Sequence, residues 1–204
     1  MTRNLQTIYD GFAKTYDENR GLFDLSSVLS DFHQSLAKSG GELLDLGCGA
    51  GEPVARFFID HHWQVTGVDF SAEMLNLAQH YVPQMKSLHA DIREVLFDAE
   101  TFDAVSASYS LFHLPYEDHA KLFENIYSWL KPDGKALFTY ATDDYTGQKE
   151  FSGYKEFMGQ SLFYSHQTPE QLFSQLESIG FDVESANKHS IGGETFLWVT
   201  VHKK

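Results

Sequence analysis

The stretch LLDLGCGAG, from Leu43 to Gly51, decides how the rest of the chain is interpreted. It opens with a short apolar run that is typical of a buried strand. Three glycines then occupy alternate positions, at Gly47, Gly49 and Gly51. Glycines so placed let the backbone turn sharply and let a ligand lie against bare main chain. Because Glu52 and Pro53 then begin a helix, the stretch predicts a strand–turn–helix unit that binds a nucleotide-like ligand.

The spacing and charge around the glycines narrow the kind of ligand. The dinucleotide fingerprint G-x-G-x-x-G requires glycine where this chain has Glu52, and the Gly-Lys-Ser/Thr of a phosphate-binding loop is absent. Asp45 and Glu52 lie close to the turn, and no cation occurs there before Arg56. These carboxylates suit a nucleoside that carries a positive charge and no phosphate, which favours S-adenosylmethionine.

Composition limits the class of protein and its partners. The chain has 204 residues, of which 42% are hydrophobic and 22% charged, as expected for a single domain with a sizeable core. With 15 basic against 29 acidic residues, the net charge of −14 argues against a nucleic-acid partner. We expect no membrane span, because no apolar run is long enough. The single cysteine, Cys48, and the charged N-terminal region favour a cytoplasmic location.

Short apolar strands alternate with amphipathic helices along most of the chain. Two amphipathic helices are predicted before residue 40, and a final hairpin is predicted through Gly192-Gly193. The seven predicted strands are Glu42–Leu46, Gln64–Val68, Ser87–Ala90, Phe102–Ala107, Lys135–Tyr140, 181–189 and 194–202. Residues 142–167 give no clear period. The pattern predicts an α/β domain with a mostly parallel sheet and an antiparallel finish.

At this point the chain resembles the class I S-adenosylmethionine-dependent methyltransferases, especially the small-molecule branch similar to ubiquinone-biosynthesis and type 11 enzymes. The resemblance covers nearly the whole length. The segments that carry it, in chain order, are YDGFAKTYDENR (Tyr9–Arg20), LLDLGCGAG, VTGVDFS (Val65–Ser71), HADIRE (His89–Glu94), FDAVSASYSLFHL (Phe102–Leu114), SWLKPDGKALF and TPEQLFSQLESIGF.

The resemblance implies a Rossmann-like fold with helices on both faces of a seven-stranded sheet. The implied strand order is 3-2-1-4-5-7-6, with strand 7 antiparallel. The whole chain, 1–204, is then one methyltransferase domain with a helical N-terminal cap at 1–40. The cofactor is S-adenosyl-L-methionine, and S-adenosyl-L-homocysteine is the product.

The resemblance also assigns roles around the cofactor. Asp69 accepts the ribose hydroxyls, Phe70 and Met74 form walls for the adenine, and Asp91 accepts from its exocyclic amine. The Ile92 N–H completes adenine recognition. The full predicted cofactor set is Tyr9, Tyr16, Asp45, Gly47, Cys48, Gly49, Asp69, Phe70, Ser71, Met74, Ala90, Asp91, Ile92, Ala107 and Ser108.

Several of these residues also have an ordinary structural interpretation. The alternative for Asp69 is a role as a cap of the following helix and nothing more, and the alternative for Asp91 is an Asx-turn without ligand binding. Met74 lies on the apolar stripe of its helix and is also expected in the core. Cys48 is interpreted as a small packing residue, because a nucleophilic thiol requires a histidine partner, whose position the sequence cannot give.

Methyl transfer leaves little chemistry for side chains, since the cofactor supplies the activated methyl group. A general base is needed only if the acceptor carries a proton at neutral pH. His113, beyond strand four at the ligand-binding edge, is the first catalytic candidate, and Tyr109 and Tyr16 are weaker ones. The alternative for His113 is a packing or capping role.

Residues 142–167 are rich in aromatic side chains and are longer than most connections in such a fold. We expect this segment to cover an acceptor with an apolar or aromatic body. An aromatic dimer interface would have the same composition, so a monomer and a homodimer both remain open.

The sequence therefore predicts a methyltransferase acting on a small molecule, with no resident metal. Protein side chains or tRNA bases are alternative acceptors, and the acidity of the chain argues against tRNA. A cofactor-binding regulatory protein without catalysis is the alternative of a different class.

Overall fold

The computed structural model describes residues 6–11, 13, 23–157 and 159–204. Its main feature is a seven-stranded sheet in which β1 (Glu42–Leu46), β2 (Gln64–Asp69), β3 (Lys86–His89), β4 (Phe102–Ala107) and β5 (Leu130–Tyr140) are parallel. The last two strands are β8 (Phe181–Ile191) and β9 (Glu194–Lys203). A separate two-stranded sheet pairs β6 (Phe151–Phe157) with β7 (Gln160–His166).

The strand order is β3-β2-β1-β4-β5-β9-β8, and β9 runs antiparallel to both of its neighbours. When the strands of this sheet alone are numbered, the order is the predicted 3-2-1-4-5-7-6. The predicted fold class and the antiparallel seventh strand are therefore confirmed.

Helices lie on both faces of the sheet and bury separate apolar clusters. Their bounds are α1 (Ser26–Ser35), α2 (Val54–Asp60), α3 (Ala72–Tyr81), α4 (Tyr116–Trp129), α5 (Asp143–Thr146) and α6 (Pro169–Ile179). Residues 6–11 are also helical. Within the described ranges, no helix is long and apolar enough to cross a membrane.

Helix starts follow the sequence signals closely. Ser71 caps α3 by accepting a hydrogen bond from the Met74 N–H at 3.2 Å. Thr168 and Gln171 form a capping box at the start of α6, and Gly180 ends that helix at φ +114°. Because these caps satisfy backbone groups that the helix itself leaves unpaired, the helix ends are fixed locally.

Two regions differ from what the sequence pattern predicts. The residues Lys-Pro-Asp-Gly at 131–134 are typical of a turn, but they form a bulge inside β5. There the chain passes from Leu130 to Lys135 while the partner strand advances only from Phe102 to Ala104. Residues 142–167, which show no clear period, form α5 and the β6–β7 hairpin. Burial does alternate along β6, but Tyr154 occupies an exposed position and Lys155 an inward one. The alternation of apolar and polar residues that normally indicates a strand is therefore hidden in the sequence.

Candidate active site

A single cavity opens at the carboxyl edge of the sheet, where β1, β2 and β4 end. Its lining includes the glycine turn after β1, the carboxylates after β2 and β3, and the residues after β4. It continues to the short 3₁₀ helix Leu111–His113, the β6–β7 hairpin and the start of β9. One cavity therefore has a glycine-turn half with carboxylates and a second half with aromatic walls.

The cavity brings together most of the residues that the sequence singles out. Those that line it are Tyr9, Asp45, Gly47, Cys48, Gly49, Asp69, Phe70, Met74, Asp91, Ile92, Ser108, Tyr109 and His113. Ser71, Ala90 and Ala107 lie beside it without lining it, within the described residues. Tyr16 lies outside the residues that the structure describes.

Asp69 ties the glycine turn to the end of β2. One carboxylate oxygen accepts the Gly49 N–H at 2.8 Å, and the other accepts the Ser71 N–H at 2.8 Å. The side chain is only 5% exposed, and burial raises its pKa despite these two bonds. Each oxygen keeps a second lone pair, so the carboxylate can bind backbone and ligand hydroxyls together. Helix capping and ligand binding are therefore compatible roles for Asp69.

The glycine turn presents bare backbone to the cavity. Gly47 has φ +76° and Gly49 has φ +52°, conformations that side chains rarely adopt. A Cβ on Gly49 would meet nothing within 4 Å, whereas one on Gly47 would lie 2.5 Å from the Ser110 Cβ. The Ser110 hydroxyl in turn donates to the Leu46 carbonyl at 2.8 Å. The turn thus packs tightly on one side and leaves open space on the other.

Asp45 is the most deeply buried carboxylate in the cavity, with 2% of the residue exposed. Burial raises its pKa to about 7, and the neighbouring Asp69 adds to this effect, while a hydrogen bond from Ser106 opposes it. A carboxyl with this pKa is half protonated near neutral pH. A cationic ligand in the cavity would favour its charged form.

Asp91 is engaged by an arginine. Arg93 donates to its two oxygens at 3.1 and 2.7 Å and reaches Asp118 at 2.9 Å. Burial raises the pKa of Asp91, but the bonds from Arg93 outweigh burial and the net pKa is lowered. The backbone N–H of Arg93 also donates to Asp91, which is the Asx-turn geometry. Asp91 therefore forms the Asx-turn and also presents a charged carboxylate to the cavity, so the two interpretations of this residue are compatible.

His113 is held by two hydrogen bonds. Its Nδ1 lies 2.8 Å from the Phe163 carbonyl, and its Nε2 lies 2.9 Å from the Tyr9 hydroxyl. Burial lowers its pKa to about 4, so the ring is neutral at pH 7. Because a carbonyl only accepts, Nδ1 carries the proton and Nε2 accepts from Tyr9. The imidazole links the N-terminal helical segment, the end of β4 and the hairpin.

Met74 and Cys48 fit their structural interpretations as well as the cavity. Met74 is 2% exposed and packs with Ala13, while also contributing to the cavity wall. Burial raises the pKa of the Cys48 thiol well above its ordinary value, with Asp69 and Asp45 adding to the effect. A thiol with a raised pKa is a poor nucleophile, so packing is the role that the geometry supports.

The aromatic half contains residues that sequence reasoning did not place at the site. Phe112 stacks on Phe196 at 4.8 Å and on Tyr164 at 5.3 Å between ring centroids. Glu194, at the start of β9, also lines the cavity. No local sequence signal marks Glu194, since it follows an ordinary Gly-Gly turn. Only the antiparallel direction of β9 brings it to the same sheet edge as the glycine turn.

Within the ranges that the structure describes, no group of three or more His, Cys, Asp or Glu side chains could hold a metal ion.

The fold is the one that the resemblance to class I S-adenosylmethionine-dependent methyltransferases predicts. Residues 43–134 match the sequence model of a family described as a methyltransferase domain. A putative methyltransferase, YqeM of Bacillus subtilis, is 35% identical over 136 residues, which are 64% of this chain and 54% of that protein. These matches confirm the predicted resemblance to S-adenosylmethionine-dependent methyltransferases. It spans about half the length of that curated relative.

Solved structures extend the likeness to nearly the whole chain. The Burkholderia thailandensis 1,6-didemethyltoxoflavin-N1-methyltransferase, solved with 1,6-didemethyltoxoflavin and S-adenosylhomocysteine, is 20% identical with a TM-score of 0.73. The match covers 97% of this chain and 87% of that one. The [4+2]-cyclase SpnF is 17% identical, with a TM-score of 0.75 over 97% of this chain and 94% of SpnF. These similarities show the fold alone.

The raised pKa of Asp45 leads to a pH-dependent prediction. Binding of the cationic cofactor should require charged Asp45, so below pH 7 binding must displace a proton. We expect the S-adenosylmethionine dissociation constant to rise as pH falls from 7, by up to about tenfold per unit. Calorimetry at several pH values measures this, and Asp45→Asn should bind more weakly at pH 8 with a flatter profile. An identical slope in that variant would contradict the assignment.

Proposed function

We propose that the chain transfers the methyl group of S-adenosylmethionine to a small-molecule acceptor with an apolar or aromatic body, releasing S-adenosylhomocysteine. One observation carries the proposal: the carboxylate-lined glycine turn and the aromatic half belong to one continuous cavity. The toxoflavin neighbour, by its title, holds a small heterocycle together with S-adenosylhomocysteine on the same fold. SpnF, which is named a [4+2]-cyclase, shares this fold, so the fold alone does not imply methyl transfer. The proposal therefore depends on the residues of the site.

The residues around the glycine turn fit the cofactor. Bare backbone at Gly49 leaves room for a ligand, and Asp69 keeps free lone pairs for ribose hydroxyls. Phe70 and Met74 supply apolar surface beside the turn, suited to an adenine ring. Asp45 supplies a carboxylate for the positively charged methionine end. When bound, the cofactor supplies a methyl group activated by a sulfonium.

What remains for the protein is to hold the acceptor and exclude water. The β6–β7 hairpin is fixed over the end of β4, because the Ser165 hydroxyl donates to the Leu114 carbonyl at 2.5 Å and His113 binds Phe163. Tyr9 closes the other side by packing edge-on against Phe70 at 5.6 Å. We assign residues 142–167 the role of covering the acceptor.

His113 acts in this proposal as a positioning residue. A neutral imidazole with a pKa of about 4 is a weak base at pH 7, and its Nε2 lone pair is already used by Tyr9. Its ring holds the Tyr9 hydroxyl and the hairpin at fixed places on the cavity wall. Catalysis by His113 as the direct proton acceptor is disfavoured by the same two facts.

Replacing His113 with alanine should reduce methyl transfer far more than cofactor binding. We expect the rate of methyl transfer to fall by about 100-fold, because Tyr9 and the β6–β7 hairpin both lose their hydrogen bonds to the His113 ring. Binding of S-adenosylhomocysteine, measured by calorimetry, should weaken by no more than about fivefold. Transfer is measured with labelled cofactor and a metabolite extract. Unchanged transfer in this variant would remove the proposed role.

A Tyr9→Phe variant separates the two members of the pair. If His113 acts by holding the Tyr9 hydroxyl, Tyr9→Phe should reproduce most of the loss. If His113 itself accepts a proton from the acceptor, Tyr9→Phe should retain most activity, since the Nε2 lone pair becomes available.

A further inference from the structure

The aromatic half of the cavity contains a carboxylate that the cofactor does not explain. The other cavity carboxylates, Asp45, Glu52, Asp69 and Asp91, follow or lie near the ends of β1, β2 and β3. Glu194 begins β9, which is four strand positions from β2 in the sheet. At about 4.8 Å per strand that separation is about 19 Å. Glu194 therefore lies well away from Asp69 and Asp91, in the aromatic half of the cavity.

Glu194 is embedded among phenol groups. The Tyr145 phenol and the Glu194 carboxylate each influence the pKa of the other, and Tyr145 and Tyr164 do the same. The Glu194 charge also raises the pKa of the Tyr109 phenol, in addition to burial. Within the described part of the chain, the buried Tyr109 hydroxyl has no hydrogen-bond partner. A polar group of a ligand between Glu194 and Tyr109 would satisfy both.

The charge of Glu194 is only weakly compensated by the protein. In the described ranges it forms no ion pair, and the cation that influences it is Lys155. Lys155 is itself occupied, because it donates to the Tyr145 carbonyl at 2.6 Å and lies 4.7 Å from the Tyr145 ring centroid. Among the residues that the structure describes, the guanidinium that lines the cavity is that of Arg93, and it is held by two aspartates.

Aromatic rings surround the same position. Tyr145 lies 4.6 Å from Phe196 and 5.1 Å from Tyr164, and Tyr109 lies 5.6 Å from Phe196, between ring centroids. Aromatic faces beside a carboxylate are the usual environment for an organic ammonium group, through cation–π attraction and charge pairing. An anionic acceptor would instead meet Glu194 and the other cavity carboxylates.

We propose that Glu194 and the rings of Tyr109, Tyr164 and Phe196, with Tyr145 packed against the last two, form an acceptor subsite for a cationic amine on an aromatic or apolar body. This deepens the proposed function and rests on it. The acceptor enters with its ammonium group toward Glu194 and its body against the stacked rings. Glu194 sets the specificity for charge, and the rings set it for shape.

The test uses three probes with similar aromatic bodies and different charges: phenethylamine, phenethyl alcohol and hydrocinnamate. Each is titrated into protein saturated with S-adenosylhomocysteine, and binding is followed by calorimetry at pH 7.5. Only phenethylamine should bind below about 10 mM. In Glu194→Gln its affinity should fall by at least about tenfold, whereas Glu156→Gln, an exposed change of the same kind on β6, should leave it unaltered.

Three results would overturn the proposal: no binding of phenethylamine, equal binding of the alcohol or the acid, or an unaffected Glu194→Gln. Tyr145→Phe provides a second variant, which keeps the Glu194 charge and removes the neighbouring phenol hydroxyl; it should retain the preference for the amine. Binding of S-adenosylhomocysteine to each protein is measured first. Its absence in the wild type would defeat the proposed function, whereas its presence without an amine preference would defeat this inference alone.

Discussion

Replacing Asp69 with asparagine is expected to weaken S-adenosylhomocysteine binding by about 100-fold or more, which is about 3 kcal/mol. Both carboxylate oxygens accept backbone N–H groups, from Gly49 and Ser71. An asparagine amide must place its NH₂ group against one of these donors. The variant therefore loses a hydrogen bond, disturbs the glycine turn and removes an acceptor for the ribose.

Calorimetry measures the loss, and Asp60→Asn is the matched control. Asp60 is exposed at the end of α2 and has no place in the cavity. The control should bind as the wild type does, and both variants should show cooperative thermal unfolding. Wild-type affinity in Asp69→Asn would show that Asp69 serves only as a helix cap.

Replacing Gly47 with alanine should destabilise the protein by about 3 kcal/mol and remove cofactor binding. The residue has φ +76°, which costs about 1 kcal/mol for a side chain, and the new Cβ would lie 2.5 Å from the Ser110 Cβ. Relief of that overlap must move either the turn after β1 or the segment after β4. Both segments line the cavity.

The free energy of unfolding in urea tests this, with Gly147→Ala as the control. Gly147 has a similar φ of +78°, but its Cβ would meet nothing within 4 Å. The free energy of unfolding of the control should therefore fall only by the cost of placing a side chain at positive φ. Adding Ser110→Gly to Gly47→Ala should recover part of the stability, because it removes the atom that overlaps. Equal losses in the two single variants would contradict the packing argument.

Much of this fold is determined by local signals that the sequence displays openly. The buried strand β1 contains a short apolar run, and the caps at Ser71 and Thr168 fix helix starts through hydrogen bonds to nearby residues. The strand order, in contrast, came from the family resemblance, since no local property of β9 shows which strand it will pair with.

The grouping of residues in the cofactor half of the site was also predictable. In a parallel sheet, the turns after successive strands meet at one edge, so Gly47, Asp69 and Asp91 were expected to lie together. The pKa of Asp45 was not predictable, because it depends on burial beneath the turn and on the distance to Asp69.

The acceptor half depends on contacts between distant parts of the chain. His113 gains its roles from Tyr9 and Phe163, which are far from it in sequence. The β6–β7 hairpin was missed because Lys155 points inward and Tyr154 outward, the reverse of the usual alternation. Glu194 joins the site only through the pairing of β9 with β5.

The measurement that tests the central claim most directly is calorimetric titration of the protein with S-adenosylmethionine, S-adenosylhomocysteine and NAD. The structure offers Asp69 for ribose hydroxyls and carboxylates where a pyrophosphate would need cations. We therefore expect both sulfur nucleosides to bind with dissociation constants of about 100 μM or tighter, and NAD not to bind. Binding of NAD without binding of either sulfur nucleoside would contradict the account.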